Sequence, residues 1–178
     1  MPETIYIRPA TESDFNSIQS IYAHYVLTGL ASFEIDPPDC EEMVGRWRII
    51  QDRHHPYLVA EIGGQVAGYA YASVYRNRPA YNHTLENSVY VSPDFQRRGV
   101  GRTLLNRLID LCAVAGFRQM VAVIGDSAND PSINLHKSCG YQQVGLLPST
   151  GFKHGRWVDS VIMQLALGDG DTTPPSSD

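Results

Sequence analysis

Residues 84–111 narrow the fold of this chain more than any other stretch. Thr84-Leu85-Glu86-Asn87-Ser88-Val89-Tyr90-Val91 has the make-up of a strand, and Ser92-Pro93-Asp94 turns the chain. Gln96-Arg97-Arg98-Gly99-Val100-Gly101 then opens a helix in which Leu104, Leu105, Leu108, Ile109 and Leu111 share one side. A helix start leaves N–H groups without partners and carries partial positive charge, while glycine lets an anion come close to the backbone. Two glycines beside two arginines at such a start point to a phosphate-bearing ligand.

Two common phosphate loops are excluded by spacing. A dinucleotide fingerprint needs a third glycine three residues after Gly101, where Leu104 stands. A Walker A loop needs Gly-Lys-Ser/Thr, and Arg102-Thr103 follow Gly101 instead. What is left, Gln/Arg-x-x-Gly-x-Gly/Ala after a strand, resembles the acyl-CoA diphosphate loop of the Gcn5-related N-acetyltransferases (GNAT).

At 178 residues the chain has the size of one domain. Its net charge of −5, from 14 basic and 19 acidic side chains, argues against a nucleic-acid partner, so the loop arginines act locally. Cys40, Cys112 and Cys139 are odd in number and lack Cys-x-x-Cys spacing, which reads as reduced thiols. Met1-Pro2-Glu3-Thr4 does not begin a signal peptide and no apolar run approaches a membrane span. A cytoplasmic protein without a membrane partner is expected.

Residues 5–8 read as a first strand, Thr11-Glu12-Ser13-Asp14 as a cap, and Phe15, Ile18, Ile21, Tyr22 and Tyr25 as a helical stripe that ends at Gly29. A recognition loop from Ala31 through Pro37-Pro38 follows, then a helix over 41–51 burying Val44, Trp47 and Ile50. Strands over 57–61 and 66–75 flank a Gly63-Gly64 turn, and residues 76–82 form a polar loop in which Pro79 prevents regular structure. After the organising unit, which ends at Gly116, come a central strand over 119–124, a loop to Asp130, and a helix begun by Pro131 and closed by Gly140. Two final strands, 141–146 and 158–165, are joined by a loop rich in glycine and lysine. Residues 168–178 are Gly, Asp, Thr, Pro and Ser, a composition that predicts a disordered tail after a single domain at 1–167. Strands alternating with helices and mixed with hairpins give an α/β fold with a mixed sheet.

From Ile7-Arg8-Pro9-Ala10-Thr11 to about Leu165 the chain resembles the phosphinothricin and methionine sulfoximine/sulfone N-acetyltransferase branch of that family. The runs that carry the likeness include Ala31-Ser32-Phe33, Tyr81-Asn82-His83-Thr84-Leu85-Glu86, Asn129-Asp130-Pro131-Ser132 and Gly151-Phe152-Lys153-His154-Gly155-Arg156-Trp157. The resemblance implies a GNAT fold, with a mixed, mostly antiparallel central sheet flanked by helices. It also implies acetyl-CoA as donor, a small amino acid as acceptor, and a homodimer.

An ammonium has no lone pair, so acetyl transfer to an amine needs a base. Glu86 matches the glutamate of the family's Thr-x-Glu motif and takes that role. His136 stands four residues before Gly140, where many relatives have a tyrosine, and is expected to assist departure of the thiol. The backbone of Val89, Tyr90 and Val91 would pair with the pantetheine arm, one N–H steadying the oxyanion. Arg97, Arg98, Gly99, Val100, Gly101 and Arg102 would hold the diphosphate, and Asn129 would contact the cofactor, cap a helix, or do both. Phe33, Arg76, Asn77, Arg78, Tyr81, Asn87 and Ser88 are the candidate acceptor site together with Glu86. Its best-known herbicide-inactivating relatives carry lysine where Arg76 stands, so a point charge is replaced by a planar fork.

No metal-ligand pattern occurs: His54-His55 lacks helical two-histidine spacing, and neither His-Glu-x-x-His nor Gly-x-Ser-x-Gly is present. Lys153, Arg156 and Asp159 suit a surface ion network, a dimer edge or a lip of the substrate pocket. Two rival functions are a GNAT enzyme for a polyamine or protein N-terminus, and an acyl-CoA sensor without turnover. Arg76 and Arg78 argue against a polyamine, and Glu86 argues against a mere sensor.

Overall fold

A computed structural model describes residues 4–175, so expectations for Met1 to Glu3 and for 176–178 lie outside the described residues. In chain order it contains β1 (Tyr6–Pro9), α1 (Phe15–Thr28), α2 (Cys40–Asp52), β2 (Tyr57–Ile62), β3 (Gln65–Val74), β4 (Thr84–Val91), α3 (Val100–Val114), β5 (Gln119–Gly125), α4 (Asp130–Ser138), β6 (Gln142–Lys153) and β7 (Arg156–Ala166). The strands form one sheet in the order β1-β2-β3-β4-β5-β7-β6, antiparallel at every junction except β4–β5.

Two cores, one on each face, hold the helices to the sheet. Phe15, Ile18, Ile21 and Val26 of α1 and Met43 and Ile50 of α2 pack on Tyr57, Val59 and Tyr69. On the other face Val100, Leu104, Leu105, Leu108 and Cys112 of α3 meet Leu58, Ala60, Ala70 and Leu85. Ile109 and Leu111 flank that stripe half-buried, as Val44 and Trp47 flank the buried face of α2. Arg8 ties β1 to the approach of α1, donating to both Asp14 oxygens at 2.8 Å and also to Glu61. Its guanidinium holds the Asp14 carboxyl below the usual carboxylate range.

Three expectations need correction. Pro79 does not prevent regular structure but starts a 3₁₀ turn, Pro79–Tyr81, because its missing N–H is unneeded at a helix start. The glycine- and lysine-rich loop is strand: β6 runs on to Lys153, with irregularities at Gln143/Gly145 and Leu147/Gly151, and turns only at His154-Gly155. Finally, the stretch from Gly168, expected to be disordered, folds back as far as Pro174. There Arg118 donates to Gly170 O, Thr173 Oγ1 and Pro174 O at 3.0–3.2 Å.

Candidate active site

The site begins where two strands part. β4 and β5 pair only over Thr84–Glu86 and Gln119–Val121. Past that point β4 continues on β3 to Val91, and β5 continues on β7 to Gly125. The Ser92 N–H donates to Ala67 O, which fixes the parity of the β3–β4 ladder: Ser88 and Tyr90 turn their amide groups to β3. Val89 and Val91 therefore turn theirs into the gap, where the Tyr25 hydroxyl donates to the Val91 carbonyl. Of the three residues expected to meet a pantetheine arm through the backbone, Tyr90 has its polar groups engaged by β3 and two remain.

The gap also joins the two faces of the sheet. Glu86, Ser88 and Tyr90 point to the α1–α2 side, and Asn87, Val89 and Val91 to the α3–α4 side. Glu86, Asn87, Ser88, Phe33 and His136 nevertheless line one cavity of about 320 Å³, because no partner strand closes the sheet there. A larger cleft of about 820 Å³ adjoins it along Ala31, Val89 and Ser132 and runs out past Arg97, Gly99 and Arg102. In that cleft Arg97 and Gly99 adopt φ +61° and +85°, a tight turn that aims the start of α3 at the opening. The N-cap of α3 is Gly99, which has no side chain to cap the helix, and the first turn of α3 lines the cleft.

Burial sets the charge states. It pushes the Glu86 carboxyl above the ordinary carboxylate range, and the Arg76 cation partly opposes it. It pushes the His136 imidazole below its ordinary range. His136 Nδ1 lies 2.8 Å from Ser132 O and Nε2 lies 3.0 Å from Asn87 Nδ2. Both ring nitrogens have partners within the protein, and the ring lines the same cavity as Glu86.

Residues 18–141 match the family model described as Acetyltransferase (GNAT) family. The chain belongs to the GNAT acetyltransferases. It is 52% identical over 169 residues to a phosphinothricin N-acetyltransferase of Alcaligenes faecalis, covering 95% of this chain and 86% of that one. It is 39% identical to an L-methionine sulfoximine/L-methionine sulfone acetyltransferase of Salmonella typhimurium, covering 92% and 95%. The crystal structure of a GNAT superfamily phosphinothricin acetyltransferase from Sinorhizobium meliloti, in complex with acetyl-CoA, superposes with a TM-score of 0.94 at 45% identity. That match covers 99% of this chain and 95% of that chain.

In this GNAT acetyltransferase the expected residues divide into those brought together and those left outside. Arg97, Gly99, Val100, Gly101 and Arg102 line the cleft, and Arg98 lies over the Phe95 ring at 5.1 Å, outside the lining. Asn129 stands where the two cavities meet and caps α4, its Oδ1 accepting from Ser132 N at 3.3 Å. Arg76 lies over Tyr75, Tyr81 meets the same ring edge-on, and Arg78 donates to Asn77 O. All four expected acceptor residues of that loop, Arg76, Asn77, Arg78 and Tyr81, are exposed and lie outside the cavity lining. The Arg76 charge nonetheless reaches Glu86, whose carboxyl it draws down.

Lys153 proves to be neither surface ion network nor lip. It is buried and donates to Ser32 O at 2.7 Å, while the Ser32 hydroxyl bonds Tyr22 OH at 2.9 Å. Together they pin the loop that carries Ala31 and Phe33, whose ring lies against Gly151. Arg156 pairs with Asp126 at 2.9 Å, and the His154 backbone forms the β6–β7 turn. The expectations for the site omitted Tyr22, Tyr71 and Ser160 of the cavity wall. In the sequence Tyr22 reads as part of the helical stripe, and no spacing links it to the other two.

Proposed function

We propose that the enzyme transfers acetyl from acetyl-CoA to the α-amino group of a small amino acid of the phosphinothricin, methionine sulfoximine or methionine sulfone class. The observation that carries this reading is a half-buried Glu86, its carboxyl held above the ordinary range, at the last paired position before the gap and in a cavity that adjoins the cleft. The names of the relatives point to the same acceptors.

The residues present fit acetyl-CoA. The uncapped amides of α3 with Arg97 and Arg102 offer donors to a diphosphate, and the free edge of Val89 and Val91 offers a β-strand-like partner to an amide-bearing arm. Bound there, the thioester supplies an electrophilic carbonyl. Glu86 would take the proton of the amine, whose nitrogen would bond to the acyl carbon as the C–S bond breaks and the sulfur leaves as the thiol, with His136 of the cavity wall assisting that departure. The N–H groups on the open edge would meet the carbonyl oxygen as charge develops. Phe33 walls the acceptor, Asn87 and Ser88 offer hydrogen bonds, and Arg76 presents its charge to the acceptor's carboxylate. Asn77, Arg78 and Tyr81 belong to the outer rim, and Asn129 to the junction with the cofactor.

A thiol-release assay with phosphinothricin, methionine sulfoximine, methionine sulfone, ordinary amino acids, spermidine and a peptide N-terminus tests this assignment. Release with the first three above all others is expected. Release with spermidine or the peptide alone, or with none of them, would overturn it.

The enzyme is further proposed to be a cytoplasmic homodimer that confers herbicide resistance where phosphinothricin is a good acceptor. Three unpaired thiols suit a reducing compartment. At the β6–β7 edge Val144, Leu146, Leu147, Phe152 and Trp157 are exposed, an apolar set that suits a second copy. Light scattering should return twice the chain mass, and Trp157→Glu should shift it toward the monomer; a wild-type monomer contradicts the dimer. Cell fractionation and survival on phosphinothricin test the other two statements.

A further inference from the structure

Phe33 walls the smaller cavity, yet it stands on the loop between α1 and α2 and is 39% exposed, so neither helix nor strand of its own fixes the ring. What holds it comes from the distant strand β6. A Cβ built on Gly151 would lie 2.6, 2.8 and 2.8 Å from three carbons of the Phe33 ring, closer than real side chains approach. Gly151 is not among the residues of positive φ, so its backbone suits any residue. The missing side chain there serves the ring and not a turn. Two residues on, the same side of the strand carries Lys153, while Phe152 between them faces the other way and meets the Trp157 ring at 5.3 Å. Lys153 is 3% exposed and donates to Ser32 O at 2.7 Å, the peptide carbonyl just before Phe33. Breaking that bond would leave an ammonium buried without its acceptor, which is costly. The helix side grips the same residue, since Ser32 Oγ bonds Tyr22 OH at 2.9 Å and accepts from the Glu34 N–H at 3.2 Å.

We propose that Gly151 and Lys153 are positioning residues for the amine acceptor: Gly151 gives the Phe33 ring its seat on the sheet, and Lys153 latches the backbone that carries the ring. Affinity for the amine is then set from β6, a strand that contributes no residue to the cavity lining. A wall held in place before the acceptor arrives spares binding the cost of ordering it. Phe33 lines the smaller cavity and not the cleft, so disturbing the seat or the latch should weaken the amine and spare acetyl-CoA. That consequence rests on the reading of the smaller cavity as the acceptor site; the seat and the latch do not.

Two measurements on the full chain test the proposal. In the first, ligand-free protein labelled with 4-fluorophenylalanine is followed by ¹⁹F NMR, the Phe33 signal being identified by its loss in Phe33→Leu. Gly151→Ala and Lys153→Met should each move that signal and leave those of Phe15, Phe95 and Phe117 in place. The second is steady-state kinetics with methionine sulfone. The KM for the amine should rise about tenfold in both variants, the scale of one lost apolar contact in a pocket, while kcat and the KM for acetyl-CoA stay within about twofold. Phe33→Ala should raise the amine KM by itself, and adding Gly151→Ala should raise it no further, because the ring carbons nearest the new methyl are gone. A Phe33 signal that stays put in a folded variant, an unchanged amine KM, or a further rise in the double variant would overturn the proposal. If Gly151→Ala does not fold, Lys153→Met carries both readings. If the two residues served stability alone, Tm would fall with the amine KM unmoved. A wild type without turnover on any amine would sink the acetyltransfer reading and leave the ¹⁹F result standing.

Discussion

Glu86→Gln is expected to lower kcat about 10²–10⁴-fold at neutral pH, the usual contribution of a general base, with little change in acetyl-CoA Kd. Burial disfavours the ionised carboxylate in the folded state, so removing the charge should not reduce Tm at pH 7. Lost activity with an intact fold therefore isolates the chemistry. The pH profile adds an independent check. On the proposed mechanism Glu86 works as the carboxylate, so kcat/KM should fall as pH falls through its raised pKa. Arg76 draws that pKa down, and Arg76→Ala should move the acid limb to higher pH. An unchanged rate in Glu86→Gln would remove this residue from the mechanism, and an unmoved limb in Arg76→Ala would deny the coupling.

The second large effect is expected at Gly125, the last residue of β5. A Cβ built there would lie 2.1 Å from Leu30 O and 3.1 Å from the Phe33 ring. Leu30 O belongs to the backbone and cannot rotate aside, so Gly125→Ala must push out the loop that walls the cavity. Overpacking of this kind costs about 1–3 kcal/mol. At roughly 2–4 °C per kcal/mol for a chain of this size, Tm should fall by several degrees, measured by calorimetry. The KM for the amine should rise more than that for acetyl-CoA, because Phe33 lines only the smaller cavity. Gly45→Ala is the control: it lies in α2, nothing stands within 4 Å of its Cβ, and it should stabilise by about 0.5–1 kcal/mol. Equal behaviour of the two variants would refute the clash.

The strand, loop and helix of 84–114 were legible because a strand's composition passes straight into helical periodicity, with glycines marking the change. The cleft followed from that local signal. β6 was not legible, since most of its residues are exposed and Gly145, Pro148 and Gly151 resemble turn signals. Within the site, Glu86 could be found from its motif, and so could the position of His136. The partner of His136 Nε2 could not, because only the fold brings Asn87 to it. Lys153 shows the same limit: a lysine beside glycines reads as surface, and only a carbonyl of the distant Ser32 accounts for its burial. Arg76 and Arg78 illustrate the converse: both are charged and close in sequence, yet only Arg76 acts on Glu86.

Soaking crystals with acetyl-CoA and solving the complex is the most direct measurement. The account requires the diphosphate against the amides of Val100, Gly101 and Arg102, the arm along Val89 and Val91, and the acetyl carbon in the cavity that Glu86 lines. Density for the nucleotide elsewhere on the sheet, or an acetyl group that enters without approaching Glu86, would contradict it.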